Sequence, residues 1–162
     1  MNRKLSKQDK VFLSHCIDLA EEALLAGDKP FGSVLVSKEG TVLATARNKI
    51  NSKHALSHPE YELAAWAIAN LDEEERQQAT MYTSGEHCPM CAGAHALAII
   101  GTVVYVASGK QLVAWLQEWG VNQTLVNLLP VEDIIKEVVV RGPADGELLE
   151  RIKELHKRSY NR

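Results

Sequence analysis

Ser57-His58-Pro59-Glu60 is answered thirty positions on by Glu86-His87-Cys88-Pro89-Met90-Cys91. One imidazole and two thiols set three apart make a zinc ligand set, and the carboxylate of Glu60 stands two residues from the imidazole. Three protein ligands leave the tetrahedral fourth position for water, which is a catalytic count; a structural site is normally closed by a fourth Cys or His. Proline suits the first position of a helix, because its missing N–H would have no helical partner, and it pushes the residue before it out of the α region. Within a regular helix, side chains two apart point to nearly opposite sides. A non-helical His58 is therefore what lets its ring and the Glu60 carboxylate converge on one point. The stretch predicts one helix opening at Pro59 and another at Pro89, with both zinc-binding segments at helix N-termini.

Outward from this centre, apolar residues recur at three and four from about Gln8 to Ala26 (Phe12, Cys16, Leu19, Ala20, Ala23), an amphipathic helix closed by Gly27, Asp28 and Pro30. Cys16 lies on its apolar stripe and reads as a small buried hydrophobe. Val34-Leu35-Val36 and Val42-Leu43-Ala44 flank Lys38-Glu39-Gly40 as a β-hairpin. A polar loop from Asn48 to Ser57 leads to the helix at about Pro59–Asn70; Leu71 to Ala79 is charged and solvent-facing. Thr80 to Ser84 reads as a buried strand, Pro89 to Ile99 as an alanine-rich helix whose first turn presents Cys88 and Cys91 on one face, and Val103 to Ala107 as another strand. Gln111 to Glu118 is helical and ends at Gly120. Val121 to Val131 has no legible periodicity. Lys136 to Arg141 reads as the last strand and Asp145 to His156 as the final helix. The order αββαβαβαβα predicts one α/β domain over residues 1–162, a mixed five-stranded sheet with helices on both faces.

The composition is that of an ordinary globule, with 46% apolar and 24% charged residues and a net charge of 18 − 21 = −3. A protein that holds a long polyanion shows a basic footprint; here the basic residues gather only at the C-terminus, as Lys153, Lys157, Arg158 and Arg162. Three cysteines, with one C-x-x-C pair, read as a reducing, cytoplasmic compartment. The charged start Met1 to Lys7 has no secretory apolar core, and no apolar run approaches the ~18 residues of a membrane span.

Such a site has a defined chemistry. Two thiolates and a neutral imidazole cancel the charge of zinc, and two helix N-termini help hold the thiols deprotonated. Zinc lowers the pKa of its water to about 7, providing a hydroxide that attacks the carbon of a ring amidine. Glu60 takes the proton of that water, gives it to the ring nitrogen and then helps protonate the leaving ammonia. Backbone N–H groups around Cys88 are placed to stabilise the tetrahedral centre.

Pro30-Phe31-Gly32-Ser33-Val34-Leu35-Val36, Asn48, His58-Pro59-Glu60, Thr83-Ser84, Glu86 and Cys88-Pro89-Met90-Cys91-Ala92-Gly93-Ala94 resemble, in order and approximate spacing, the cytidine/deoxycytidylate deaminase superfamily, and especially its guanine deaminase and tRNA adenosine deaminase branches. The resemblance covers about residues 8 to 107. It implies a three-layer α/β/α cytidine-deaminase-like fold, Zn2+ on His58, Cys88 and Cys91, Glu60 as proton shuttle, Asn48 as a hydrogen-bonding partner of the substrate ring, Phe31 near the pocket wall, and a homodimer with pockets near the interface. Two positions depart from the pattern. Pro59 stands where the family usually has alanine or another small residue, and His87 where proline usually precedes the first cysteine. Both lie at the pocket's edge and leave ligands and carboxylate in place.

The function this implies is deamination of a free nucleobase or nucleoside, closest to guanine deaminases. Its rivals are a tRNA adenosine deaminase and a non-catalytic, zinc-stabilised domain. The acidic balance favours the small molecule, since nucleic-acid affinity rests largely on phosphate neutralisation. Other readings weigh against individual residues. His95, four after Cys91, is positioned as a fourth ligand, but that leaves the His58/Glu60 pairing unexplained, and packing accounts for it better. His87 is expected to point away from the metal. Asn48 after a strand is ordinary turn chemistry. Trp115 and Trp119 read as helix packing before a base-stacking platform or a pocket lid, and the C-terminal cations as a solvated helix end. Ala92, Gly93, Ala94, Ala96 and Ala98 give one helix a small-residue surface that packs against a partner copy or against its own sheet.

Overall fold

The computed structural model describes residues 3–122 and 124–161. Its elements run α1 (Lys7–Leu25), β1 (Gly32–Val36), β2 (Val42–Arg47), α2 (Pro59–Asn70), α3 (Glu73–Gln78), β3 (Thr80–Gly85), α4 (Pro89–Leu97), β4 (Thr102–Ala107), α5 (Gly109–Glu118), α6 (Val131–Ile134), β5 (Val139–Arg141) and α7 (Gly146–Tyr160). The five strands form one mixed sheet in the order β2-β1-β3-β4-β5. β1 runs antiparallel to both β2 and β3, while β3, β4 and β5 are parallel.

Alternation along the strands sorts the core into two layers. Val34, Val36, Tyr82, Val104 and Val106 face α1, α5 and α7, meeting Phe12, Cys16, Ile17, Leu24, Trp115, Ile152 and Leu155. Leu35 and Met81 face the other way, against Leu63, Ala64 and Ala67 of α2 and Ala98 at the end of α4. Val103, Tyr105 and Val140 meet Ala92, Val131 and Ile135 beside them. The three-layer arrangement predicted from the sequence is thus the one observed. Cys16 is buried in the first layer, and Ala92 and Ala98 lie against the chain's own sheet. Gly32 is required where α1 crosses β1: a Cβ there would lie inside the contact distance of Cys16 O and Leu19 Cβ.

Four elements differ from the sequence expectation. The charged segment after Leu71 contains α3, nucleated by an Asp72/Glu75 capping box in which each side chain takes the other's backbone N–H. A second short helix, α6, follows Pro130. The last strand is confined to Val139–Arg141, because only those residues find partners on β4, at Thr102 to Val104. Finally, α7 continues past His156 to Tyr160, whose ring lies under the Lys29 ammonium at 3.7 Å and beside Trp119. No helix among the described residues is long and apolar enough to cross a membrane.

Candidate active site

The start of β1, the end of β2 and the end of β3 lie at one edge of the fold, and the N-termini of α2 and α4 close on the same edge. Each of those helices is entered through an X–Pro step. His58 is the N-cap of α2 (φ −87°, ψ 141°) and Cys88 the N-cap of α4 (φ −67°, ψ 166°), both extended, as the following proline demands. His58 therefore stands outside the helix as expected. Cys88 does too, a refinement of the expectation that it shares the first turn with Cys91. The His58 Nδ1 lies 3.6 Å from Cys88 Sγ and 3.5 Å from Cys91 Sγ, and the three donor atoms fall within 4.8 Å of one another. Among the described residues this is the one such group of three.

These distances test whether a metal fits. A tetrahedral zinc with bonds of about 2.3 Å to sulfur and 2.0 Å to nitrogen holds S and N about 3.5 Å apart, and the observed separations match. The protonation chemistry agrees. Cys91 donating to Cys88, together with His58, brings the Cys88 thiol down to about 4, while Cys91 is held up by that same bond and by burial. The bond to Cys88 holds His58 above its ordinary value against the opposing effect of burial. A divalent cation bound to such a trio displaces the protons its donors carry.

Glu60, in the first turn of α2, is buried, and its Oε1 accepts a hydrogen bond of 2.8 Å from Thr83 Oγ1. Burial raises its proton affinity; the Thr83 bond and the charge of His58 oppose that rise without cancelling it. Glu60 is thus a buried carboxylate with raised proton affinity beside three side chains that could hold a metal ion.

The remaining residues sort by what they touch. Asn48 is buried, and its Oδ1 accepts from Ile50 N at 3.0 Å, the turn chemistry its position implied. Its backbone N–H donates to Phe31 O at 2.9 Å, so the two residues assigned to the substrate by resemblance are neighbours. Phe31 packs its ring edge-on against His156 with centroids 4.9 Å apart. The loop that carries Asn48 is fixed by Asp28, which accepts from Asn51 N, Ser52 N, Ser52 Oγ and Arg47 Nη1 at 2.7–3.3 Å. His95 lies outside the donor trio: its Nδ1 sits 3.0 Å from His87 Nε2, both rings are buried, and burial holds both neutral. Glu86 caps two elements at once, accepting from Gly109 N and Val131 N at 2.8 Å. Trp115 on α5 and Trp119 at its C-cap stack on each other, and Trp115 is part of the core. Of the C-terminal cations, Lys153 pairs with Glu118 and Arg158 with Glu21, and Arg162 lies outside the described residues. Sequence reasoning missed Asp28, Ser33, Thr83 and His156 as neighbours of the site. Ser33 and Thr83 stood within quoted motifs, but their facing register belongs to the sheet.

The profile of the MafB19-like deaminases matches residues 7–143. A tRNA-specific adenosine deaminase of Bacillus subtilis is 32% identical over 142 residues, spanning 86% of this chain and 83% of the relative. The guanine deaminase of the same organism is 35% identical over 100 residues, spanning 60% and 64%. Among solved structures, guanine deaminase from Nitrosomonas europaea aligns with a TM-score of 0.71 at 17% identity, covering 99% of this chain and 88% of that one. Another structure, a mutant in complex with 8-azaguanine, reaches 0.73 at 16% identity and covers 100% and 98%. At such identities the structural likeness shows the shared fold. Profile and sequence relatives together show that the chain belongs to the MafB19-like deaminase family, within the cytidine deaminase-like superfamily.

Proposed function

We propose that this chain is a zinc-dependent hydrolytic deaminase of a free nucleobase or nucleoside, close in activity to guanine deaminases. The observation that carries this reading is the convergence of His58, Cys88 and Cys91 with a buried Glu60 that is no part of the trio. His58, Cys88 and Cys91 would hold zinc, which when bound would acidify a water into the neutral range for addition to the carbon of a ring amidine. Glu60 would take one proton from the attacking water and pass it to the ring nitrogen, then carry the proton of the added hydroxyl to the departing amine, so that C–N breaks as C=O forms and ammonia leaves. Its raised proton affinity suits a group that must both hold and release a proton within one turnover. The Asn48 amide and the Phe31 ring orient the substrate, one by hydrogen bonding and the other as a wall. The His87–His95 pairing supports a trio left open for water rather than closed by a fourth side chain.

A second reading, RNA editing, is favoured by the 32% identity to a tRNA-specific adenosine deaminase. Against it stand the net charge of −3 and the pairing of Lys153 and Arg158 with carboxylates. We further propose a homodimer. Tyr61 and Ile68 on α2 and Leu97 on α4 are exposed, and a Cβ at Gly93 would meet open space, so the two site-bearing helices present an apolar, closely approachable face. Sedimentation at micromolar concentration is expected to give a dimer; an active monomer there rules that out. The function itself is tested by ammonia release over purines, pyrimidines and their nucleosides beside an intact tRNA anticodon stem-loop. The expected best substrate is a free base or nucleoside. Efficient adenosine-to-inosine conversion in the stem-loop overturns the choice.

A further inference from the structure

Ser33 on β1 and Thr83 on β3 face each other directly across the antiparallel ladder, and both are fully buried. Ser33 Oγ donates to Thr83 Oγ1 at 2.9 Å, and Thr83 Oγ1 donates onward to Glu60 Oε1 at 2.8 Å. The carbonyl of Gly85, 3.0 Å from the same hydroxyl, is the alternative acceptor. A hydroxyl has one proton to give and two lone pairs to receive with. The Ser33 donation occupies a lone pair and leaves the Thr83 proton free to point forward. Between a neutral carbonyl and a carboxylate, the charge-assisted bond is the stronger, and in a dry interior each bond of such a chain reinforces the next.

We propose that Thr83, backed by Ser33, is a positioning residue that pins Oε1 of Glu60, fixes the rotamer of the carboxylate and leaves Oε2 as the oxygen that moves the proton. This rests on the reading of Glu60 as the proton carrier. Glu60 sits on a helix, and a helix alone leaves its outer torsions free; proton transfer needs the oxygen held within hydrogen-bond reach of both the water and the ring nitrogen. The strand pair supplies that constraint from the most rigid part of the fold, where register fixes Ser33 opposite Thr83. A pair that merely stitched β1 to β3 would affect melting alone, and its hydroxyl would have no reason to reach a third side chain on α2.

The test compares Thr83→Val, Thr83→Ser and Ser33→Ala with Glu60→Gln, reading zinc content, kcat and KM on the best substrate of the ammonia screen, and the Glu60 carboxylate in crystals of the metal-free proteins. Thr83→Val is expected to keep zinc and KM within about twofold while kcat falls about 100-fold, the scale of a catalytic group displaced by an ångström, with the carboxylate turned away from its original place. Thr83→Ser restores kcat and carboxylate together. Ser33→Ala lowers kcat by about fivefold, and it carries the test should Thr83→Val fail to fold. Full kcat with an unmoved carboxylate in Thr83→Val, or in Ser33→Ala if that variant alone folds, overturns the positioning role while leaving the deaminase reading intact. A fully active Glu60→Gln overturns the reading of Glu60 as the proton carrier, on which this proposal rests.

Discussion

Two buried carboxylates lie on opposite sides of the same sheet and are treated in opposite ways. Asp9, on α1, is 3% exposed and saturated: it accepts from Ser6 N, Tyr82 Oη and both Arg141 Nε and Nη2 at 2.8–3.0 Å. Glu60, on α2, is 5% exposed and receives the Thr83 hydroxyl, with the metal-ligand trio alongside. Burial pushes both toward protonation. For Asp9 the bonds from Arg141, Ser6 and Tyr82 outweigh it, and the group lies below the ordinary carboxylate range; for Glu60 burial wins. A fully donated carboxylate is a fastener, with no capacity left to exchange protons. An under-donated one is a strained element that the rest of the fold must support, and that is the position a proton carrier needs. The same contrast separates the histidines: His58 faces the thiols, while His87 and His95 are buried against each other.

The comparison breaks first at the metal. Cys88→Ala should abolish zinc binding and reduce ammonia release to background, while Asp9 and its partners hold the fold; metal analysis and circular dichroism read the two sides separately. Zinc retained at one per chain with normal turnover would show that the trio is not the site.

Next in size is the fastener. Asp9→Asn leaves Arg141 short of its partner and is expected to lower stability by about 3 kcal/mol, within the range for charge-assisted bonds and disrupted buried pairs, without altering kcat. The pH dependence has opposite signs on the two sides. Asp9 has its folded value below the unfolded one, so its stabilisation is present above about pH 4 and lost as pH falls through the folded value. Glu60 has its folded value above the unfolded one, so its contribution is lost as pH rises through that folded value. In the metal-free protein, Glu60→Gln should therefore melt no lower than wild type at pH 7, whereas Asp9→Asn melts lower. Equal losses in both variants would erase the distinction.

How much of this was legible in the sequence follows from the range of each interaction. The X–Pro entries at Pro59 and Pro89 and the grouping of His58, Cys88 and Cys91 were readable because local sterics and spacing fix them. The Asp72/Glu75 box is equally local, but it is hidden within a run of acidic residues. Thr83 and Ser33 could be named but not paired, since the register that sets them opposite each other joins positions fifty apart. Asp28 looked like a helix terminator, and only the loop's return brings Asn51 and Ser52 onto it. His156 against Phe31 is a contact across the whole chain, and α6 follows a stretch without periodicity.

A smaller effect sharpens the histidine contrast. His95→Ala should leave zinc stoichiometry unchanged and lower stability by about 2 kcal/mol, through a cavity and an unpaired His87. Burial holds His95 down at about 4 and His156 at about 3, so the folded values lie below the unfolded ones. Wild-type stability should then decline as pH falls below about 6.5, by up to about 1.4 kcal/mol per unit for each ring. His95→Ala should flatten that slope. Zinc lost on this change would instead make His95 a fourth ligand and the site a closed one.

The most direct test of the central claim, that three residues hold the metal and a fourth, unligated carboxylate moves the proton, is the zinc content and turnover of Glu60→Gln measured on the same preparation. One zinc per chain with turnover reduced by about 10^3-fold, as for loss of a general acid–base, is the predicted result. Full zinc with near-normal turnover contradicts it, and loss of zinc would make Glu60 a ligand.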